Sequence, residues 1–310
     1  MRLSASIRGR IPGIRLRTFT FTLTFPFSCW LSPMANHLYD QETEFTILES
    51  LLPVLRARTF LDIGAEKGSF AKFLLDRGLT GSLFEPFPGH QKALADLAAK
   101  TGAKFFPCAV DRVDRTAQFH LACDEKGELV DYYHSLHKIG QDDRVKHQRT
   151  IDVTCRSLAS LAAAGEIPAE IGILKTDTEG NDLAVMQGLG PVQAEVLICE
   201  FFTEGLYAGW EDAHPRGLIA RAEQLGFSQY IAIKRWEGQE LASLKPAVFL
   251  PKQWGNLIFM RLKVFRDAAE PLQKIVAASE RRLLAAVVEQ TRAAEEKEAV
   301  IQKLLKERKG

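Results

Sequence analysis

Paired cysteines and net charge are both nearly missing from this 310-residue chain. Its five cysteines, Cys29, Cys108, Cys123, Cys155 and Cys199, are odd in number and contain no C-x-x-C pair. That argues against a disulfide framework and a thiolate metal site, and fits a reducing, cytoplasmic setting. The formal net charge is only +1, but it is unevenly spread. Residues 1–33 carry five arginines and no acid, residues 263–310 net +3, and residues 34–262 net −7. An acidic centre repels a phosphate backbone, so nucleic acid is not an expected partner. It suits a cationic small molecule. The Thr/Phe-rich run T-F-T-F-T-L-T-F-P-F is broken by threonines and Pro26 and is too short to cross a bilayer, so stable membrane insertion is not expected.

The chain divides into three expected parts. Residues 1–33 read as a leader, or as a start placed upstream of Met34, and as dispensable in either case. Residues 34–262 form the main domain, and residues 263–310 a charged helical tail suited to self-association or partner binding. Within the domain, Phe45, Leu48, Leu51, Leu52 and Leu55 recur at helical spacing. Strands are expected at 59–64, 82–87, 104–110, 171–177, 195–201, 229–234 and 257–262, with helices at about 67–77, 88–100, 181–189 and 214–225. Alternating strand and helix predicts a Rossmann-like, doubly wound, mostly parallel α/β sheet. The Gly238–Gly255 connection lacks a helix, so the last strand is expected to be antiparallel. Residues 111–160 break the alternation and read as a strand, a turn and a long polar excursion over the ligand edge. The tail is rich in Ala, Glu, Lys and Arg, but Gln290 and Lys297 interrupt its a/d seam and weaken a coiled-coil reading.

Three elements carry candidate chemistry. In F-L-D-I-G-A-E-K-G-S-F, a buried strand ends at Asp62, turns through Gly64 and Ala65, and enters a helix near Gly68. Small residues let backbone approach a ligand, and the helix N-terminus offers N–H groups to a carboxylate. Glu85 ends the next strand, 21 residues after Gly64, where an acid can accept both ribose hydroxyls. A dinucleotide fingerprint would place its second glycine where this loop has Glu66, and an acid there repels a pyrophosphate. S-adenosylmethionine has no phosphate and tolerates it. The third element, I-L-K-T-D-T-E-G-N-D, delivers Lys175, Asp177 and Glu179 to the same sheet edge, although Asn181 or Asp182 could equally cap the following helix.

These motifs resemble the FkbM-type methyltransferases over about residues 59–262. The resemblance also rests on L-F-E-P, A-V-D-R, S-L-H at 135–137, L-I-C-E-F at 197–201 and the closing N-L-I-F-M-R, with D-T-E-G-N-D the most specific piece. It implies methyl transfer from S-adenosylmethionine, typically to oxygen on natural products, sugars or glycans. It also implies that Asp62, Gly64, Ala65, Gly68 and Glu85 bind cofactor, that Ala109 and Val110 border the adenine, and that Asp177 and Glu179 face donor and acceptor. Glu66 replaces the more usual asparagine of the family loop, and the helical tail lies outside the family pattern.

His134 and His137 form H-x-x-H, but no third ligand accompanies them, so no metal is expected. For a hydroxyl acceptor a base is needed as the C–O bond forms, and Asp177 and His134 are the candidates. Tyr132 and Tyr133 read as packing against substrate or cofactor, or as filling the core. Glu200 could orient an acceptor hydroxyl or pair with Lys175. The rival readings are an NAD-dependent oxidoreductase on the same sheet and a non-catalytic cofactor-binding scaffold.

Overall fold

The computed structural model describes residues 2–5, 21–24, 42–140, 145–204 and 210–307. Two units are distinguished, residues 1–40 and 41–310. In the first, β1 (Arg2–Ala5) and β2 (Phe21–Thr24) pair antiparallel with Arg2 opposite Thr24. The rest of the expected leader lies outside the described residues.

The second unit opens with α1 (Glu42–Leu51), whose Ile47, Leu48 and Leu51 are fully buried at helical spacing. There follow β3 (Thr59–Ile63), α2 (Ser69–Leu75), β4 (Thr80–Phe84), α3 (Pro88–Thr101), β5 (Lys104–Phe106), β6 (Ala109–Val110), β7 (Arg115–Cys123) and β8 (Lys146–Arg156). Then come α4 (Leu158–Ala163), β9 (Glu170–Thr176), α5 (Asp182–Gln187), β10 (Gln193–Phe202), α6 (Pro215–Gln224), β11 (Gln229–Trp236), β12 (Gln239–Leu244), β13 (Trp254–Met260), α7 (Leu262–Asp267) and α8 (Ala269–Glu307).

Eight strands form the main sheet in the order β12-β11-β13-β10-β9-β3-β4-β5. Strands β5, β4, β3, β9 and β10 pair in parallel, and β13 lies antiparallel between β10 and β11. Because β3 and β9 are buried along nearly their whole length, they read as mainly apolar runs, with Asp62 and Lys175 as the buried charged exceptions. Residues of α1, α2, α3 and α8 pack on one face, and residues of α4, α5 and α6 on the other. The chain runs outward from β3 through β4 to β5, then returns to start β9 on the other side. That reversal is the switch point where such sheets bind ligands. The Rossmann-like architecture expected from sequence, antiparallel late strand included, is the observed one.

Four differences have physical causes. The expected strand 104–110 is split, because Pro107 has no N–H for the ladder; β6 instead joins β7 and β8 in a second, three-stranded sheet. Much of the expected polar excursion is β8, whose Ile151, Val153 and Cys155 alternate with exposed or half-exposed polar residues. The expected connection after Gly238 contains β12: Glu237 (φ 46°) and Gly238 (φ 77°) are both left-handed, which fits a two-residue hairpin turn. Finally, packing does not divide at residue 263. Val264, Ala268, Leu272 and Val276 are buried in the main core, and Ser279 Oγ accepts the Ala242 N–H at 2.9 Å. Only farther along α8 do Leu284, Val287 and Val288 lie exposed. Among the described residues no helix is long and apolar enough to cross a membrane.

Candidate active site

At the end of β3 the chain turns under tight constraint. Gly64 sits at φ 75°, and a Cβ there would lie 1.9 Å from the Asp177 carbonyl oxygen, so only glycine fits. The Gly64 and Ala65 N–H groups both donate to the Phe84 carbonyl at 3.0 Å, and the Asp177 N–H donates to that of Ile63 at 3.0 Å. The loop is thereby knitted to the strands on either side. Glu66, left-handed at φ 48°, donates its N–H to Glu85 Oε2 at 2.9 Å, while Phe87 donates to Glu85 Oε1 at 2.8 Å. Each carboxylate oxygen keeps acceptor capacity beyond its one bond. Burial pushes the Glu85 carboxyl up to about 7, against the pull of those two donors.

Lys175 forms the floor. It lies opposite Asp62 in the β3–β9 register, and its Nζ is 3.3 Å from Asp62 Oδ1, 3.3 Å from Asp177 Oδ2 and 3.1 Å from the Gly64 carbonyl that accepts its hydrogen bond. Burial opposes its charge, but Asp177 and Asp62 outweigh burial and hold the lysine protonated. Glu200 does not join this group as an ion pair. Its carboxyl is pushed up by burial and by the nearby acids Asp177, Glu179 and Asp182, and its N–H donates to Asp182 Oδ1 at 3.1 Å.

Facing the glycine loop is the segment 131–137, tied to β7 by one main-chain bridge, in which Ser135 and His120 exchange N–H···O bonds at 2.8 and 3.1 Å, and otherwise held by side chains. Ser135 Oγ donates to the Glu179 carbonyl at 2.6 Å and accepts the His137 N–H at 2.9 Å. His137 Nε2 is 3.0 Å from Asn181 Oδ1, and Asn181 Nδ2 donates to the Val110 carbonyl at 3.1 Å. Asn181 thus stands at the start of α5 without capping it, and Asp182 instead accepts from Thr176, Thr178 and Glu200. Tyr133 donates its N–H to Glu179 Oε1 at 3.3 Å.

His134 requires a correction. Its Nδ1 accepts the Ala122 N–H at 2.9 Å, so in the neutral ring the proton sits on Nε2. Desolvation in a buried site against Phe87 pushes its pKa down to about 4. A ring whose lone pair is already engaged is a hydrogen-bond donor, not the base expected from sequence.

These elements enclose a cleft of about 890 Å³, its open mouth included, at the carboxyl ends of β3, β4 and β9. Gly64, Ala65, Glu85, Ala109, Val110, His134, Asp177 and Glu179 all line it. Two expected cofactor residues do not. Asp62 is fully buried behind the wall against Lys175, and Gly68 packs on Leu94 and Leu97 of α3. Sequence reasoning overlooked His90, Asp131 and Asn181 as lining residues. His90 and Asp131 carry no signal of their own in a single sequence, and Asn181 was legible only as a cap. Among the described residues no group of three or more His, Cys, Asp or Glu side chains could hold a metal ion.

The sequence profile of the methyltransferase FkbM domain matches residues 62–227, more than half of the chain. No curated protein matches. Solved structures similar to this chain include a magnesium protoporphyrin IX methyltransferase from Synechocystis with bound S-adenosylmethionine, at 11% identity and TM-score 0.37, covering 71% of this chain and 78% of that one. Others are a precorrin-6y C5,15-methyltransferase from Geobacter metallireducens, at 9% identity and TM-score 0.36 over 73% and 92% of the two chains, and a TehB-like methyltransferase from Corynebacterium glutamicum, at 10% and 0.37 over 71% and 87%.

Proposed function

The chain belongs to the FkbM methyltransferase family, and from that premise we propose that it uses S-adenosylmethionine to methylate a hydroxyl on a sugar, glycan or small natural product. The observation that carries this reading is the Glu85 carboxylate, buried at the switch point directly behind the glycine loop. When bound, the cofactor supplies a methyl group on a positively charged sulfur, with the leaving group already activated. Glu85 is placed to accept ribose hydroxyls, and Gly64 and Ala65 let backbone approach the methionine part. Ala109 and Val110 supply a small apolar border for the adenine, while Glu66 in the same wall disfavours a pyrophosphate.

Asp177 and Glu179 come from the end of β9 on the acceptor side. Asp177 is our base, held in place by Lys175, and it takes the hydroxyl proton as the oxygen attacks in line. His134 offers an N–H to the ligand.

Calorimetry with S-adenosylhomocysteine and with NAD tests the cofactor, and mass spectrometry of sugars and glycans incubated with labelled S-adenosylmethionine tests the reaction. Binding of S-adenosylhomocysteine with a labelled, base-stable ether product is expected. Binding of NAD in its place would overturn the reading.

A further inference from the structure

The structure separates the two tyrosines that stand together in the segment facing the glycine loop. Tyr133 packs against a small buried cluster that includes Ala122, Ile139 and Val145. Tyr132 lines the cleft and is 54% exposed, its ring meeting that of Tyr133 in a T-shaped contact at 5.0 Å and 81°. The chain is held on both sides of it. Before it, Asp131 meets Lys67 of the glycine loop at 2.5 Å; after it, the Tyr133 N–H donates to Glu179 Oε1 at 3.3 Å and the Tyr133 carbonyl is 2.8 Å from His147 Nε2. Tyr133 is also left-handed, at φ 66°. Of the five non-glycine residues in that conformation among the described residues, Glu66, Tyr133 and Glu179 line this cleft, whereas Glu237 and Lys252 lie in turns. A bulky side chain held there costs energy, and such strain gathers where a site must present a group in a fixed place. What is presented here is the Tyr132 ring.

Resting on the methyltransferase reading above, we propose that Tyr132 is the platform for the acceptor, and that the acceptor is a sugar ring lying with its C–H face on the tyrosine. An aromatic face carries partial negative charge and attracts polarised C–H groups, which a pyranose gathers on one side while its hydroxyls point outward from the rim. Those hydroxyls suit the rest of the cleft. Asp177 and Thr178 line it too, and a carboxylate or hydroxyl oxygen that already has one partner can still accept from a sugar hydroxyl. A plain aromatic ring could stack on Tyr132 but would desolvate those oxygens with fewer donors to offer them. An open-chain polyol has the donors and lacks the flat face.

The test uses the full chain, labelled S-adenosylmethionine and three kinds of acceptor: methyl pyranosides, the alditols of the same sugars, and catechol. A pyranoside should be methylated with a kcat/KM about tenfold or more above its alditol and above catechol. Tyr132→Ala should raise KM for that pyranoside about tenfold while kcat stays within a few-fold and S-adenosylhomocysteine affinity does not change. Tyr132→Phe should restore the wild-type KM, because the ring and not its hydroxyl makes the contact. The inference is overturned by an unchanged KM in Tyr132→Ala, by Tyr132→Phe as impaired as the alanine variant, by alditol or catechol used as well as the pyranoside, or by no transfer to any of the three from a protein that binds S-adenosylhomocysteine. Failure to bind S-adenosylhomocysteine would instead remove the underlying reading.

Discussion

The two walls of the cleft hold their shape in different ways. The glycine-loop wall is fixed by main chain, where Gly64 and Ala65 donate to the Phe84 carbonyl, and by one buried side chain, the Glu85 carboxylate that accepts from Glu66 and Phe87. Opposite it, residues 131–137 have one main-chain bridge, between Ser135 and His120, and otherwise hang on a few side chains. His147 Nδ1 accepts the Ile139 N–H at 2.9 Å and its Nε2 reaches the Tyr133 carbonyl at 2.8 Å, with Ser135 and His137 completing the clamp. A wall held mostly by main chain is less sensitive to single substitutions than one held mostly by side chains. The first suits an invariant cofactor, and the second suits selection among acceptors.

The largest expected effect is at the floor between the walls. Asp177→Asn should lower kcat by about 10²- to 10⁴-fold, the usual contribution of a general base, and leave S-adenosylhomocysteine affinity within a few-fold. Loss of that affinity in a folded variant would assign Asp177 to the cofactor wall instead.

Lys175→Met should reach both walls by leaving the Asp62 carboxylate buried without its counter-charge. A cost of about 3–5 kcal/mol in denaturant unfolding is expected, largely recovered when Asp62→Leu is added. An unchanged midpoint in the single variant would show that the ion pair does not support the floor.

Next comes a pH dependence belonging to the glycine-loop wall. The folded Glu85 pKa is raised from 4.5 to about 7, so its stabilising contribution is complete below the unfolded value and is lost as pH rises through the folded one. Relative to wild type, Glu85→Gln should therefore gain up to about 3 kcal/mol between pH 4 and pH 8. Parallel stability curves for the two proteins would contradict it.

The smallest effect should separate the walls most cleanly. His147→Ala removes two hydrogen bonds, worth about 1–2 kcal/mol together. Amide exchange should accelerate across 133–139 while Gly64 to Glu66 remain protected; equal acceleration at both would mean that the walls are one cooperative unit.

Legibility in the sequence follows the same division. Strands β3, β4, β9, β10 and β13 were readable because apolar runs bounded by turns have few other uses in a chain this long. The acid behind the glycine loop could be placed by counting residues. Strands β8 and β12 were missed because their apolar positions are few and interspersed with polar residues. The helical tail was read as an appendage, although Leu272 and Val276 complete the core, since a thin apolar stripe does not say what it packs against.

By itself the sequence determined the alternation of strands and helices, the switch point, and the positions of Gly64, Glu85 and Asp177 at one sheet edge. Strand period, crossover handedness and turn chemistry are local or generic constraints, so they can be read along the chain. Only the tertiary structure decided that Asp62 faces Lys175 across the β3–β9 register instead of the ligand, that Ala122 occupies the His134 lone pair, and that residues 131–137 close over the glycine loop. Each of these depends on which groups meet across long sequence separations, where a hydrogen bond or an ion pair between particular atoms, and no propensity of the residues involved, sets the outcome.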